Sequence, residues 1–250
     1  DPGLPENRSF ICQVVRDIVS RYDVDAIHMD DYFYPYRIAG KQFPDDSSFA
    51  RYRGNFAERA RDDWRRNNVD LIIQQLADSI RKIKPWVEFG ISPFGVWRNS
   101  SRDTSGSQTK AGQTNYDDLF ADILKWQKNG WIDYVVPQLY WHIGFSIADY
   151  SVLTEWWSRN AYDCPLYIGQ AFYRIDKKAE VKAWRSAKEI TRQVALNRQY
   201  SGIRGSMFFS ARYLRTNPSR LHQNLKKIYP HKVLAPVNPR ITAELPYAPY

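Results

Sequence analysis

Apolar positions along this chain of 250 residues follow two different spacings. Near the start they recur three and four residues apart, which predicts an amphipathic helix over Phe10, Ile11, Val14, Val15, Ile18 and Val19. Short apolar runs typical of buried strands follow at about 24–30, 87–92, 132–139, 165–171 and 205–209. Helical patterns separate or follow these runs at about 49–64, 66–83, 115–129, 147–158, 176–199 and 217–228. This alternation predicts an α/β fold with a parallel sheet and right-handed crossovers.

The loops and the tail add to this outline. A polar loop at 99–114, rich in Ser, Thr, Gly and Gln, reads as a mobile rim. Gly130 is expected to end the helix before it. From residue 230 onward the chain holds five prolines. We therefore predict one domain over 1–230 and, at 231–250, a Pro-rich tail or a linker to a further module.

The number of strands leaves two architectures open. A closed (β/α)8 barrel needs eight strands, whereas the pattern yields five and the chain opens on a helix. Either the sheet is open and five-stranded, or the chain is the C-terminal portion of a barrel. In the second case the sheet should have an apolar edge that is unpaired or associates with another chain.

Polar or aromatic residues follow every predicted strand. Asp30 and Asp31 stand together after the first one, and two adjacent carboxylates are costly to bury unless they do chemistry or are well paired. Active sites of parallel α/β folds lie at the carboxyl ends of the strands. The candidate substrate-binding residues are His28, Tyr34, Arg98, Asn99, Gln138, Tyr140, Trp141, Gln170 and Tyr173.

Each candidate also has a purely structural explanation. His28 fits a packed core histidine equally well, and it has no second histidine at metal-ligand spacing. Arg98 and Asn99 can instead cap a loop. Glycine-rich phosphate loops and serine-hydrolase motifs are absent. We expect no metal and no cofactor.

Composition narrows the choice of ligand. The 36 basic residues against 27 acidic ones give a net charge of +9, but they are dispersed over predicted helices, so nucleic-acid binding is not expected. Nine Trp and 17 Tyr suit a sugar-binding cleft, because flat rings stack on pyranose faces. No apolar run is long enough to predict a membrane span.

Four segments and the opening residues resemble the glycosyl-hydrolase-like family 10 proteins, which are similar to bacterial peptidoglycan glycosidases. The segments are His28–Pro35, Gly90–Asn99, Val136–Trp141 and Tyr167–Gln170, and the opening is Pro2–Arg8. Ala26 departs from the usual Asp-Gly-Ile-His pattern. The resemblance covers about 1–230 and implies a (β/α)8 TIM barrel, of which this chain would be the C-terminal portion without about the first three strands. It also implies a polysaccharide or peptidoglycan substrate and a place in the cell envelope, as a periplasmic protein or lipoprotein.

The carboxylate pair suggests a particular mechanism. Ordinary glycosidases place two carboxyls ~5–5.5 or ~6.5–9.5 Å apart, usually on different strands, yet no other predicted strand ends in Asp or Glu. An adjacent pair fits substrate-assisted hydrolysis, in which the sugar's 2-acetamido oxygen attacks the anomeric carbon. Asp30 would polarise the acetamido group and Asp31 would be the general acid, with its pKa raised by repulsion from Asp30. Tyr140 is a candidate donor to the acetamido oxygen.

Three functions follow from the sequence. The favoured one is a glycoside hydrolase that cleaves a bacterial cell-wall glycan, with peptidoglycan as substrate. A non-catalytic carbohydrate-binding barrel would keep the aromatic residues without depending on Asp30 and Asp31. A nucleic-acid binder would instead show binding that weakens steeply with salt.

Overall fold

A computed structural model describes residues 1–232, 234, 237–239 and 241. The strands are β1 Ala26–Met29, β2 Glu88–Ile91, β3 Tyr134–Val135, β4 Leu166–Ala171 and β5 Ile203–Phe209. The helices are α1 Pro5–Arg21, α2 Asp46–Tyr52, α3 Arg61–Ile83, α4 Asn115–Asp118, α5 Ile123–Lys128, α6 Tyr150–Asn160, α7 Lys188–Asn197, α8 Arg212–Thr216 and α9 Leu221–Ile228. The predicted tail at 231–250 falls mostly outside the described residues.

The five strands of the described residues form one parallel sheet in the order β1-β2-β3-β4-β5. β1 pairs with β2 from Ala26–Glu88 to Met29–Ile91. Val135 of β3 pairs with Leu166 of β4. The predicted α/β class and the parallel direction are therefore confirmed. Within the described residues β1 pairs only with β2, and β5 only with β4.

By backbone contacts the chain divides into two compact units. The first comprises Asp1–Ile91, Gln113–Tyr134 and the stretch from Asn238. The second comprises Ser92–Gly112 and Val135–Val237.

In the first unit, α3 is the central helix. Its apolar face is buried through Val69, Ile73, Leu76 and Ile80, and α1 packs against it. Charged residues also contribute to this interior. Arg65 is 3% exposed, and its Nε donates to Asp45 Oδ2 at 2.7 Å. Such a buried pair needs both partners, because either charge alone would be strongly destabilising.

In the second unit, β4 and β5 pair in parallel, and α7 and α9 pack together. A buried apolar cluster holds this layer together through Phe172, Trp184, Ile190, Val194 and Leu221. Phe208 of β5 stacks on Phe172 with ring centroids 4.2 Å apart.

Several predicted helix boundaries were wrong. One helix, α3, covers the predicted break at residue 65, because Trp64 and Arg65 continue its buried face. The helix predicted at 115–129 is divided at Phe120, whose φ is 54°. The first half of the helix predicted at 176–199 is loop and short 3-10 turn before α7. Gly130, with φ 63°, does follow the end of α5 as predicted.

Candidate active site

The acidic pair comes directly after β1. Asp30 is exposed, whereas Asp31 is only 2% exposed. The backbone N–H of Asp31 donates to Asp30 Oδ1 at 2.9 Å. The two side chains thus differ in their surroundings although they are adjacent, and a pair of acids in unlike surroundings can take unlike protonation states.

Tyr36 binds the buried member of the pair. Its hydroxyl donates to Asp31 Oδ2 in a short hydrogen bond. Burial raises the pKa of Asp31 to about 6, the charge of Asp30 adds to that rise, and the bond from Tyr36 opposes it. The sequence predicted that repulsion from Asp30 would raise the pKa of Asp31. In the structure that repulsion contributes less to the rise than the loss of hydration does. Burial and the neighbouring Asp31 carboxylate also raise the pKa of Tyr36, so that its hydroxyl remains a donor.

His28 lies on β1 next to a tyrosine that the sequence did not single out. Its ring stacks on Tyr134 at 5.7 Å between centroids, and its Nδ1 is 3.1 Å from the Tyr134 hydroxyl. A Cβ at Gly90 would collide with that tyrosine ring, so glycine is required there. Loss of hydration lowers the pKa of His28, while the charge of Asp30 opposes this shift.

Tyr34, a predicted substrate-binding residue, is in the core of the first unit. It is 1% exposed and meets the rings of Phe43 and Phe120 edge-on, each at 5.1 Å between centroids. A ring enclosed in this way has no face left for a sugar. Its place in the structure instead fixes the loop that carries Tyr36.

In the second unit, Gln138 follows β3. Its backbone makes bridges to Phe94 and Gly169, and its Nε2 donates to the carbonyl of Ser92 at 2.9 Å. The side chain is partly exposed.

Three aromatic rings form a group that we call the aromatic triad, namely Tyr140, Tyr173 and Phe209. Tyr140 lies 5.7 Å from Tyr173 and 6.2 Å from Phe209 between ring centroids, and Tyr173 lies 6.1 Å from Phe209. Phe209 is 53% exposed and Tyr173 is 38% exposed. Sequence reasoning noted the segment around Phe209 but did not name this residue as a candidate. An exposed aromatic patch of this kind often marks a binding surface.

Trp141 and Gln170 lie outside the triad and contact other residues of the second unit. Trp141 is partly exposed and meets Phe94 edge-on at 5.4 Å. Gln170 is fully buried, and its Nε2 donates to Gln193 Oε1 at 3.1 Å. Gln193 in turn donates to the carbonyl of Trp141 at 3.0 Å.

Glu189 also holds the segment that follows Tyr140. Neither Glu189 nor Gln193 was predicted from the sequence as a site residue. The buried carboxylate of Glu189 accepts from the backbone N–H of Ile143 at 2.8 Å and from Gln193 at 3.2 Å. Buried polar side chains of α7 thus fix the segment that follows Tyr140. In the sequence they look like ordinary residues of a solvated helix.

Arg98 and Asn99 are engaged with their own loop. Arg98 pairs with Asp103 at 2.9 Å. Asn99 Oδ1 accepts from the Thr109 hydroxyl at 2.8 Å and from the Ala111 N–H at 2.9 Å, while its Nδ2 donates to the Ala111 carbonyl at 2.8 Å. These contacts favour the structural explanation for Asn99.

In the described part of the chain, no three His, Cys, Asp or Glu side chains are grouped so that they could hold a metal ion. Among the helices of those residues, none has both the length and the apolar character needed to cross a membrane.

Comparison with known proteins identifies the family. Residues 1–186 match the family model described as glycosyl hydrolase-like 10. The chain is 47% identical over 251 residues to "Glycosyl hydrolase YngK" of Bacillus subtilis (strain 168), with 99% of this chain and 49% of that protein covered. It is 40% identical over 220 residues to "Glycosyl hydrolase DigH" of Escherichia coli (strain K12), with 86% and 49% covered.

The chain spans about half the length of these curated relatives. Because the family model matches residues 1–186 of 250, the chain belongs to the glycosyl hydrolase-like 10 family.

Proposed function

We propose that the natural protein containing this chain is a glycoside hydrolase that cleaves peptidoglycan or a related bacterial cell-wall glycan. Membership of the glycosyl hydrolase-like 10 family and the names of both relatives support hydrolysis of a glycosidic bond. The choice of substrate rests on the resemblance to peptidoglycan glycosidases and on the exposed aromatic triad. A cell-wall substrate would place the protein in the cell envelope.

The proposal includes a closed (β/α)8 barrel. Its support is the parallel sheet, whose strands follow in sequence order and alternate with helices, as barrel strands do. In such a barrel the candidate residues of each unit would stand at the carboxyl ends of their own strands, where active sites of barrels are built.

One observation carries the catalytic proposal: Asp31 is a buried carboxyl with a pKa raised to about 6, adjacent to the exposed Asp30. A general acid must still hold its proton near the working pH, and a pKa near that pH provides this. An ordinary surface aspartate would be ionised under the same conditions.

The proposed reaction has two steps. In the first, Asp30 accepts a hydrogen bond from the acetamido N–H, and the acetamido oxygen attacks the anomeric carbon. Asp31 gives its proton to the leaving oxygen as the glycosidic C–O bond breaks, which leaves an oxazoline-type ring and an ionised Asp31. In the second step Asp31 removes a proton from the water that opens the ring, and so returns to its starting state.

The aromatic triad would hold the glycan. Its rings lie on the residues after β3 and β4 and at the end of β5, and the buried side chains of Gln193 and Glu189 fix the backbone at Trp141 and Ile143. A rigid support of this kind lowers the entropy that binding must overcome.

The test is release of reducing ends from purified peptidoglycan, with and without its stem peptides. Asp31→Asn should slow this release roughly 10²–10⁴-fold, the usual contribution of general acid catalysis. Asp163→Asn is the matched control, since Asp163 is an exposed loop residue. Failure of the unaltered natural protein to release reducing ends from any 2-acetamido glycan would reject the hydrolase.

The second candidate is a carbohydrate-binding protein without turnover. The exposed triad favours it, because stacking on a pyranose needs no acid. This function predicts glycan binding that survives Asp31→Asn, together with no reducing-end release from the unaltered protein.

A further inference from the structure

We propose that Tyr36 is a positioning residue for the acid: its hydroxyl fixes Oδ2 of Asp31, so that the proton to be transferred resides on Oδ1. This inference rests on the proposed function, in which Asp31 protonates the leaving oxygen. It adds a side chain that neither the family model nor the names of the relatives assigns.

The loop around Tyr36 is anchored on both sides. Two residues earlier, Tyr34 is enclosed between Phe43 and Phe120. One residue later, the backbone N–H of Arg37 donates to Gln113 Oε1 at 3.1 Å, and its guanidinium pairs with Asp118 at 3.0 Å.

Closer to the acid, the Phe33 N–H donates to the Asp31 carbonyl at 3.1 Å, which closes the turn between the two residues. The Tyr36 ring is 44% exposed, whereas Asp31, which its hydroxyl reaches, is buried. A surface tyrosine with anchored neighbours is therefore directed onto one buried carboxyl oxygen.

Few titratable groups of the first unit act on this carboxyl. Asp30 is adjacent and accepts the Asp31 N–H, and Tyr36 donates to Oδ2. Tyr32 lies beside Tyr36 at 6.3 Å between ring centroids, and His28 is influenced by Asp30. The bond from Tyr36 is the side-chain hydrogen bond that lowers the pKa of Asp31, against burial and the charge of Asp30.

The chemistry follows from these contacts. Before the reaction, Oδ2 accepts from Tyr36 and Oδ1 carries the proton. As the proton moves to the leaving oxygen, the negative charge stays on Asp31. A hydrogen bond to a carboxylate is stronger than one to a neutral carboxyl. Tyr36 thus stabilises the product of proton transfer and makes Asp31 a better donor.

Tyr36→Phe tests this, because it removes the hydroxyl and keeps the ring. A general acid loses activity as pH rises through its pKa, and loss of the Tyr36 bond raises that pKa. The alkaline limb of kcat/KM against pH should therefore move upward by about one pH unit, the scale of one hydrogen bond to a carboxylate. The carboxyl carbon resonance of Asp31 should titrate with the same upward shift.

Tyr52→Phe is the matched control, because the Tyr52 hydroxyl also donates to a carboxylate, that of Glu6. Its alkaline limb should remain at the wild-type position. Incorporation of 3-fluorotyrosine at position 36 provides a second test that retains the hydroxyl. Its hydroxyl is the stronger donor, so the limb should move downward.

An unmoved limb in both Tyr36 variants, or an upward shift with fluorotyrosine, would overturn the positioning role. These results differ from failure of the proposed function. If Asp31→Asn keeps the wild-type rate, Asp31 is not the acid. If Asp31→Asn is inactive and the Tyr36 variants leave the pH profile of kcat/KM unchanged, Asp31 remains the proposed acid and the role of Tyr36 is rejected.

Discussion

The segments that follow β1 and β2 both carry polar residues that the sequence predicts as site residues, but they use them differently. After β1, the buried Asp31 accepts a hydrogen bond from the Tyr36 hydroxyl and has a raised pKa. After β2, Asn99 accepts from Thr109 and Ala111 and donates to Ala111, all within its own loop.

The difference separates the residue that we propose as the general acid from one whose contacts are structural. The amide of Asn99 satisfies backbone groups that would otherwise be costly to leave without partners. A buried carboxyl with a raised pKa is held in a place that disfavours its charged form, which is typical of catalytic acids. Hydrogen-bond partners and burial, rather than residue type, make this distinction.

Asp30→Asn should have the largest effect among the variants that challenge this comparison. It weakens the acetamido nucleophile, so we expect turnover to fall by at least about 10²-fold, on glycans and on aryl glycosides alike. Rates measured on both substrates check this, with Asp163→Asn as control. Normal turnover would overturn the substrate-assisted scheme and point to a nucleophile or base elsewhere. Inhibition by thiazoline mimics of the oxazoline would support it.

Phe209→Ala should have the next largest effect. Loss of one ring from the aromatic triad removes a stacking surface worth about 1.5 kcal/mol, so KM for the glycan should rise about tenfold with little change in kcat. Met207→Ala is the control, since Met207 is also exposed on β5 but has no ring. Equal effects of the two changes would show that the edge of β5 contributes stability rather than sugar binding.

Asn99→Ala should affect folding more than catalysis. It leaves both backbone groups of Ala111 without their partner and removes one hydrogen bond of the Thr109 hydroxyl, which keeps its contact with Ser107. This should lower the free energy of unfolding by ~1–3 kcal/mol. Urea titration measures this loss, and Ser101→Ala, at an exposed position of the same loop, should cost less. A stable Asn99→Ala protein with a greatly raised KM would instead support Asn99 as a substrate-binding residue.

The smallest expected effect concerns stability against pH. The pKa of Asp31 is raised from 3.8 to about 6, so between these values the folded state holds more protons than the unfolded state. Stability from this group therefore falls as pH rises through that window. Asp31→Asn should raise Tm by several degrees at pH 8, where the buried carboxylate is ionised, and by less near pH 4. A difference in Tm that does not vary with pH would contradict the raised pKa.

The strands were largely predictable, because short continuous apolar runs are typical of strands buried in a parallel sheet. The run at 165–171 became β4 at Leu166–Ala171. The run at 132–139 gave only Tyr134–Val135 as a strand, with Gln138 in isolated bridges, because Pro137 has no N–H to donate.

Helix ends and contacts across the fold were harder to predict. Arg65 looked like a surface charge, but its partner Asp45 is 20 residues away. Tyr36 and Tyr134 looked like further aromatics of a chain rich in them. Their contacts with Asp31 and His28 depend on how the loops and strands meet. Local patterns do not contain this information.

The most direct test of the central claim compares Asp31→Asn with the unaltered natural protein on two substrates that differ only in their leaving group. A natural 2-acetamido glycan needs a proton on its leaving oxygen, whereas an aryl glycoside with a good leaving group needs less protonation. If Asp31 is the general acid, the rate should fall roughly 10²–10⁴-fold on the glycan and much less on the aryl glycoside. An equal loss on both substrates, or no loss on the glycan, would contradict the claim.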